Sequence, residues 1–444
     1  MTRLFAAAGI LLGLTASAFA DPAASSEDAL VQTFDPESAV APVSVVEGAG
    51  VKVGEGTVLH PIFGVETGFV SNVFYADTNV QPAGILRLLA QIGTGSLSKE
   101  RLTPAGASDE SANDEEVNTG SLTYRADLRA SYDLVLSGNN AASGTGGLGV
   151  GASLHGLVNP MGQWQFGFDE DFTRLIRAAN FETDANTNRD INRLMLAINL
   201  RPSGRSLSAS LYYANVIDIF EKTVQRFPDR IEHRGGIHGA WQFFPRTQAY
   251  VDGSFGVVTG LGSSSSMKVS SFPLVVKAGI ATLLTVKTTL NVEGGYTNGF
   301  YSSGPSFSAP LINAQVGYRY SPLGRVALGY SLQYSDSINA NYYRDHVLRL
   351  WMRQLVTPFV VMVQPEVHLR EYSGIPPTQG AAVRDDVIFS VIAGMSYNFR
   401  NWLAATLNYR FTDVTTSYRY MSGGMSDDPS FVRHELLLGM RAAL

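Results

Sequence analysis

The chain has 444 residues, no cysteine and a formal net charge of −6. Only 16% of the residues are charged, well under the roughly 25% of a soluble domain, yet mean hydropathy is near neutral at +0.03. These numbers exclude a disulfide framework, a cysteine-based metal site, a nucleic-acid binder with a basic face and a bundle of membrane helices. Abundant glycine (44), tyrosine (19) and phenylalanine (23) instead suit a transmembrane β-barrel, where lipid-facing and lumen-facing residues cancel in the average.

The first residues, MTRLFAAAGILLGLTASAFADP, carry one Arg, an apolar core and Ala18-Phe19-Ala20 before Asp21. This pattern predicts a secretory signal peptide over 1–20, cut after Ala20. Residues 21–57 are rich in Ala, Pro, Ser and Gly with scattered acids and are expected to form a flexible periplasmic leader. No later stretch approaches the roughly 20 apolar residues of a membrane helix; LVTPFVVMV (355–363) is interrupted by Pro358.

From residue 58 to 444 the pattern is strand, turn, strand, and this region is assigned to one barrel. The predicted strands are 59–74, 83–95, 121–137, 146–157, 162–173, 190–201, 205–219, 229–243, 246–259, 270–283, 285–300, 307–320, 324–337, 341–356, 358–373, 384–398, 401–415 and 429–443, about eighteen in all, an even number as such barrels have. The links alternate in length. NPMGQ (159–163), RPSGRS (201–206), FFPRT (243–247), SPLGR (321–325), LVTP (355–358) and NFRN (398–401) are short. Between them fall longer polar stretches such as IRAANFETDANTNRD (176–190) and SYRYMSGGMSDDPS (417–430). Outer-membrane barrels have short periplasmic turns and longer outside loops, so the expected fold is all-β: a transmembrane antiparallel up-and-down barrel in the cell outer membrane. One link breaks the rule. Residues 96–120 fall where a short turn belongs, yet are long and hold Asp109, Glu110, Asp114, Glu115 and Glu116. Two readings are open: a solvated acidic excursion, or a docking segment for a periplasmic partner.

The stretch SLTYRADLRASYDLVLSG (121–138) shows which face meets lipid. Thr123, Arg125, Asp127, Arg129, Ser131 and Asp133 alternate with Leu122, Tyr124, Ala126, Leu128, Ala130, Tyr132 and Leu134, the period of a strand with two unlike faces. An Arg facing lipid at the midplane costs about 2–4 kcal/mol, so Arg125 and Arg129 together would cost about 4–8 kcal/mol, the size of a whole protein's stability. The charged row is therefore expected to face the lumen. The same register places Glu66, Arg87, Asp169, Asp171, Arg193, Asp252, Lys277, Glu293, Arg319, Arg349, Arg353, Glu366, Arg370, Arg410, Arg433, Glu435 and Arg441 inside. These charges either hold the wall together as cross-strand Arg–carboxylate pairs or form an Arg-lined constriction that favours anions. Two positions disturb the pattern. Pro365 predicts a bulge. Glu170 falls on the lipid row between Phe168 and Phe172, which predicts a bulge or a place above the hydrocarbon.

Catalytic and metal chemistry find little support. Ser153 and His155 share a face but stand two residues apart, about 7 Å along a strand, too far for a nucleophile–base pair. His233 and His238 point to opposite faces, so they make a poor metal pair. DANTNRD (184–190) lacks the glycine and the terminal Glu of a calcium loop. No enzyme, no metal and no cofactor are expected, and no nucleic-acid partner.

The stretch GTVLHPIFGVETGFVSNVFYADTNVQPAGILRLLAQIG (56–93), with its G-x-E-x-G-x-x-S-N-V-F-Y run and following P-x-x-x-L-R-L pattern, resembles the beta-barrel porin family associated with exopolysaccharide export. LTYRADLRASYDLVLSG is similar to that family's third strand. The resemblance covers the first eighty or so barrel residues and implies an integral barrel that passes a polymer or binds periplasmic export proteins. Two functions follow from the sequence. The first is a porin-like barrel for polysaccharide export or passive solute passage through a polar, Arg-rich lumen, its partner outer-membrane lipid. The second is a closed barrel that anchors an envelope-spanning motility or secretion complex.

Overall fold

The computed structural model describes residues 50–53, 58–95, 121–176, 188–202, 206–221, 229–262, 268–338, 340–375, 383–422, 425–427 and 429–444. The expected signal peptide, most of the expected leader and the acidic segment with Asp109, Glu110, Asp114, Glu115 and Glu116 lie outside them.

Eighteen long strands follow one another around the wall. They are β1 (Val58–Val70), β2 (Ala83–Gly95), β3 (Leu122–Leu136), β4 (Gly147–Val158), β5 (Trp164–Leu175) and β6 (Arg189–Leu200). Next come β7 (Leu207–Phe220), β8 (Arg230–Phe244), β9 (Thr247–Gly260), β10 (Leu274–Thr285), β11 (Thr288–Asn298) and β12 (Ser308–Ser321). The last six are β13 (Gly324–Asp336), β14 (Tyr342–Val356), β15 (Phe359–Ser373), β16 (Val383–Arg400), β17 (Leu403–Thr416) and β18 (Phe431–Ala443). Each pairs antiparallel with its sequence neighbour, and β18 pairs antiparallel with β1 from Ile62↔Ala443 to Val70↔Glu435. The sheet is thus a closed barrel, as the strand alternation leads one to expect, and every predicted strand overlaps an observed one. Closure also matters physically: in hydrocarbon an open edge would leave a row of amides with nothing to bond.

The two rims differ. On one, strands join through residues 159–163, 201–206, 245–246, 286–287, 322–323, 357–358 and 401–402, with 96–121 as the long exception; on the other, through longer stretches such as 71–82, 261–273, 299–307 and 417–430. Gly50, the first described residue, and the C-terminal Leu444 lie at the short-turn rim. There Val51 and Lys52, within the stretch assigned to the leader, pair with Leu59 and Val58, and the Gly50 N–H donates to the Leu444 carbonyl at 2.8 Å.

Exposure alternates along the strands. On β3, Leu128, Tyr132, Leu134 and Leu136 are exposed, while Thr123, Asp127, Ser131 and Asp133 are buried. The exterior is therefore an apolar band, the surface a bilayer covers. Aromatic side chains edge it at both rims, as barrels in bilayers require. Trp164, Trp241, Phe244, Tyr318, Tyr320, Phe399 and Trp402 stand exposed toward the short-turn rim. Toward the long-loop rim, outward tyrosines bond polar neighbours: Tyr213 with His233 at 2.8 Å, Tyr330 with His346 and Tyr409 with His434 at 2.9 Å, Tyr296 with Ser308 at 2.8 Å.

Neither expected bulge forms. The β15 register is the same on both sides of Pro365: pairing with β14 lapses after Arg349↔Glu366, resumes at Met352↔Val363, and on the other flank Pro365 faces Val391. The ring's missing N–H interrupts one ladder locally without shifting it. Glu170 likewise faces Leu154 on β4 and Leu194 on β6 in unbroken register, so its carboxyl stays on the outward row among apolar neighbours. Exterior acids cost less than bases but still destabilise. Glu170→Leu should therefore raise stability by about 1 kcal/mol, whereas Leu128→Arg should lower it by about 2–4 kcal/mol. Urea titrations of the protein folded into lipid vesicles measure both.

Candidate functional site

The inner row carries the charges, and the strand register decides who meets whom. At the closing seam the Glu66 carboxylate accepts from Arg441 at 2.8 Å and lies 3.5 Å from Arg87. Arg87 in turn donates to both Asp133 oxygens, at 2.6 and 3.0 Å, across the β2–β3 ladder. Arg433 donates to Glu435 at 2.6 Å and lies over the Tyr75 ring at 4.8 Å; Arg410 is the cross-strand partner of Glu435. A second network crosses β14 to β15. Arg349 and Gln364 contact Glu366 closely, His368 sits between Glu366 (3.3 Å) and Asp345 (3.1 Å), and Arg370 donates to Asp345 at 2.8 Å. Arg370 also lies 4.1 Å over the Tyr343 ring. A third joins Lys277 to Glu293 at 3.0 Å and His238 to Asp252 at 3.6 Å.

On β3 to β6, Arg129 pairs with Asp127 at 3.3 Å and reaches Asp171 at 3.9 Å, while Arg193 lies 3.6 Å from Asp171. Arg125 stands opposite His155 in the ladder. The Ser153 hydroxyl contacts Asp127 and the His155 ring contacts Asp169, each closely. Ser153 thus bonds an acid rather than His155, and the pair makes no nucleophile–base dyad. Among the described residues no group of three His, Asp or Glu side chains could hold a metal ion.

Water reaches these networks unequally. The seam is dry: side-chain exposure is 0% at Glu66, 2% at Arg441 and 8% at Arg87. On β3 to β6 it is 39% at His155, 33% at Asp171, 27% at Arg129 and 20% at Arg193, and on β14 it is 36% at Arg349. From β5 to β14 is nine strands, half of the eighteen, so the wetted charges stand on opposite walls. Arg319, Arg325 and Arg353 occupy successive cross-strand positions of β12, β13 and β14, a row of like charges that favours an anion beside it.

At the long-loop rim, side chains from strands far apart in the wall converge. Asp336 accepts from Arg230 at 2.6 Å and from Tyr301 at 3.0 Å, and lies 3.3 Å from Lys268. Arg230 also donates to Asp218 at 3.1 Å. The Lys268 ammonium donates to the carbonyls of Ser337, Ala340 and Asn341 at 2.5, 2.7 and 3.2 Å, tying the 337–341 link to the 261–273 link. Burial, with the Asp336 carboxylate beside it, pushes the Tyr301 phenol well above its ordinary range, so it remains a donor. The sequence reading missed Asp345, Lys268, Arg230 and Asp336. The first lies on the inner row, and the alternation that picked out Arg349 and Glu366 would have found it. The others sit at strand ends or in links, where period two stops.

No protein-family model matches the sequence, and no curated protein matches it. Among solved structures, a BenF-like porin from Pseudomonas fluorescens Pf-5 is similar over 88% of this chain and 99% of its own, at 11% identity and a TM-score of 0.47. Acinetobacter baumannii OccAB4 is similar over 87% of this chain and 98% of its own, at 11% identity and a TM-score of 0.46. The siderophore receptor PirA from Pseudomonas aeruginosa is similar over 87% of this chain and 80% of its own, at 11% identity and a TM-score of 0.41. Likenesses this distant say nothing about a solute; the barrel stands on its own strand pairing.

Two outcomes follow from the interior. Glu66→Ala leaves buried guanidinium groups without their shared carboxylate and should cost about 3–5 kcal/mol, read as loss of the heat-resistant folded band in detergent gels. Lys268→Ala removes three hydrogen bonds that tie one link to another, and limited proteolysis should then cut within 337–341, where the unsubstituted protein resists.

Proposed function

We propose that this chain is a porin-like channel of the Gram-negative outer membrane that passes small hydrophilic solutes passively and prefers anions. The observation that carries the reading is the wetted charge on opposite walls of the lumen. Among the partly exposed charges there are Arg129 at 27%, Arg193 at 20% and Arg349 at 36%, beside Asp171 at 33% and a buried Glu366. A polar interior with an excess of exposed positive charge concentrates anions in a low-dielectric tube. An eighteen-strand wall is wide enough to leave an aqueous lumen where loops do not fill it, and the apolar exterior supports a bilayer as its solvent. The outer membrane is the location that the signal-like N-terminus and unequal rims favour. No solute-transforming chemistry is needed, and lipid is the partner the exterior calls for.

Polymer export, the narrower reading, has the resemblance over residues 56–93 as its support. The anchoring reading leans on the acidic segment 96–120, outside the described residues. Passive anion-preferring passage draws on more of the chain. In a planar bilayer under a potassium chloride gradient, the purified protein should conduct with a reversal potential on the chloride side. Changing Arg129, Arg193 and Arg349 together to Glu should move that potential to the potassium side. A folded protein that never conducts, or a reversal potential indifferent to the three charges, contradicts the proposal.

A further inference from the structure

The short-turn rim is basic. Among the described residues, none of the eighteen strands carries an Asp or Glu within four residues of that rim. Cations do stand there on the inner row. Arg125 lies near the start of β3, Arg201 follows β6, and Arg319, Arg325 and Arg353 lie at the short-turn ends of β12, β13 and β14. The last three are direct cross-strand neighbours, Arg319↔Arg325↔Arg353. Like charges held side by side repel, and in a low-dielectric mouth they draw in an anion.

The chain itself supplies an anion at this rim. Gly50 is tied to the Leu444 carbonyl, and Val51 and Lys52 pair with the foot of β1. Residues 21–49 are therefore tethered at the mouth, beside the seam. That stretch holds Asp21, Glu27, Asp28, Asp35, Glu37 and Glu47, and not one Lys, Arg or His. Its charge of −6 equals the formal net charge of the whole chain, so the acid surplus is concentrated in it. Its reach also fits. β14 stands five strands round the wall from β1. Strands about 4.8 Å apart, tilted about 40°, give an eighteen-strand wall a diameter of about 36 Å, which puts β14 about 28 Å from the seam. A segment as long as 21–49 has a root-mean-square span of about 30 Å.

We propose that the acidic leader, residues 21–49, docks in the short-turn mouth of its own barrel against the Arg319–Arg325–Arg353 row and partly obstructs it. The occupant is this chain's own segment, because the tether holds it at an effective concentration of about millimolar. Its carboxylates accept charge-assisted hydrogen bonds from guanidinium groups. Solute anions then compete with a built-in anion for the same row. That consequence rests on the channel reading; the docking does not.

The cysteine-free chain allows a test that needs no conduction. With Arg319→Cys, which leaves Arg325 and Arg353 in place, an uncharged polyethylene-glycol maleimide reports access to the mouth. Labelling should run at least about fivefold faster once residues 21–49 are deleted. The barrel's pairing begins at Gly50, so the deletion leaves the wall whole. Changing the six acids to their amides, at unchanged length, should speed labelling as much as the deletion does. Raising KCl from 0.1 to 1 M shortens the Debye length from about 10 to about 3 Å. It should speed labelling of the full chain and leave the deleted chain unchanged. In planar bilayers at 0.1 M KCl the full chain should conduct less than the deleted one, and synthetic peptide 21–49 should restore the block from one side only. Equal labelling with and without the segment, or amide-substituted leader that protects as well as the acidic one, would overturn the docking. A folded barrel that conducts in neither form contradicts the channel reading alone, and labelling still decides the docking.

Discussion

Inside a bilayer a backbone amide has no water to bond to, and every structural feature of this chain answers that constraint. A sheet can meet it only by having no edge. The pairing of β18 with β1 removes the edge, and once it does, each strand is forced to present one face to hydrocarbon and the other to the interior. Alternation then ceases to be a preference. A single slip in register would carry Arg125, Arg129 and their partners into lipid at a cost no barrel of this size can absorb.

The charges that cannot face out must be reconciled with one another inside. Where the wall is dry they do so in pairs and triads set by register: Glu66 between Arg441 and Arg87, Arg87 on Asp133, Asp345 between Arg370 and His368. These buried networks fix which residue lies opposite which, and the Glu66–Arg441 pair spans the closure itself. Elsewhere the inner charges are partly wetted, with Arg129 and Arg193 beside Asp171 and Arg349 beside Glu366.

How far the sequence could be read depended on whether a feature was local. Strand positions, the inward row and the unequal rims all follow from period two and from turn residues, so Arg125, Glu366 and Arg441 were recognisable from their neighbours alone. Pro365 was misjudged, and the bulge that was one option at Glu170 does not form, for one reason. A local rule predicts a bulge, but pairing on both flanks of each strand holds the register, and the ladder tolerates one missing bond or one exterior acid. The rim network of Lys268, Tyr301, Arg230 and Asp336 was not legible, since its members come from strands and links far apart in the chain and meet only because the barrel brings them round.

The most direct test of the two-faced wall uses the absence of cysteine, which gives a thiol reagent no background. Single substitutions Arg129→Cys and Leu128→Cys place a thiol on opposite faces of β3, at adjacent positions, and the side chain at 129 is 27% exposed to the interior. In vesicle-reconstituted protein, a charged, membrane-impermeant maleimide should modify the thiol at 129 and spare the one at 128. Reaction at 128 with protection at 129 would mean that lipid and water lie on the faces opposite to those described.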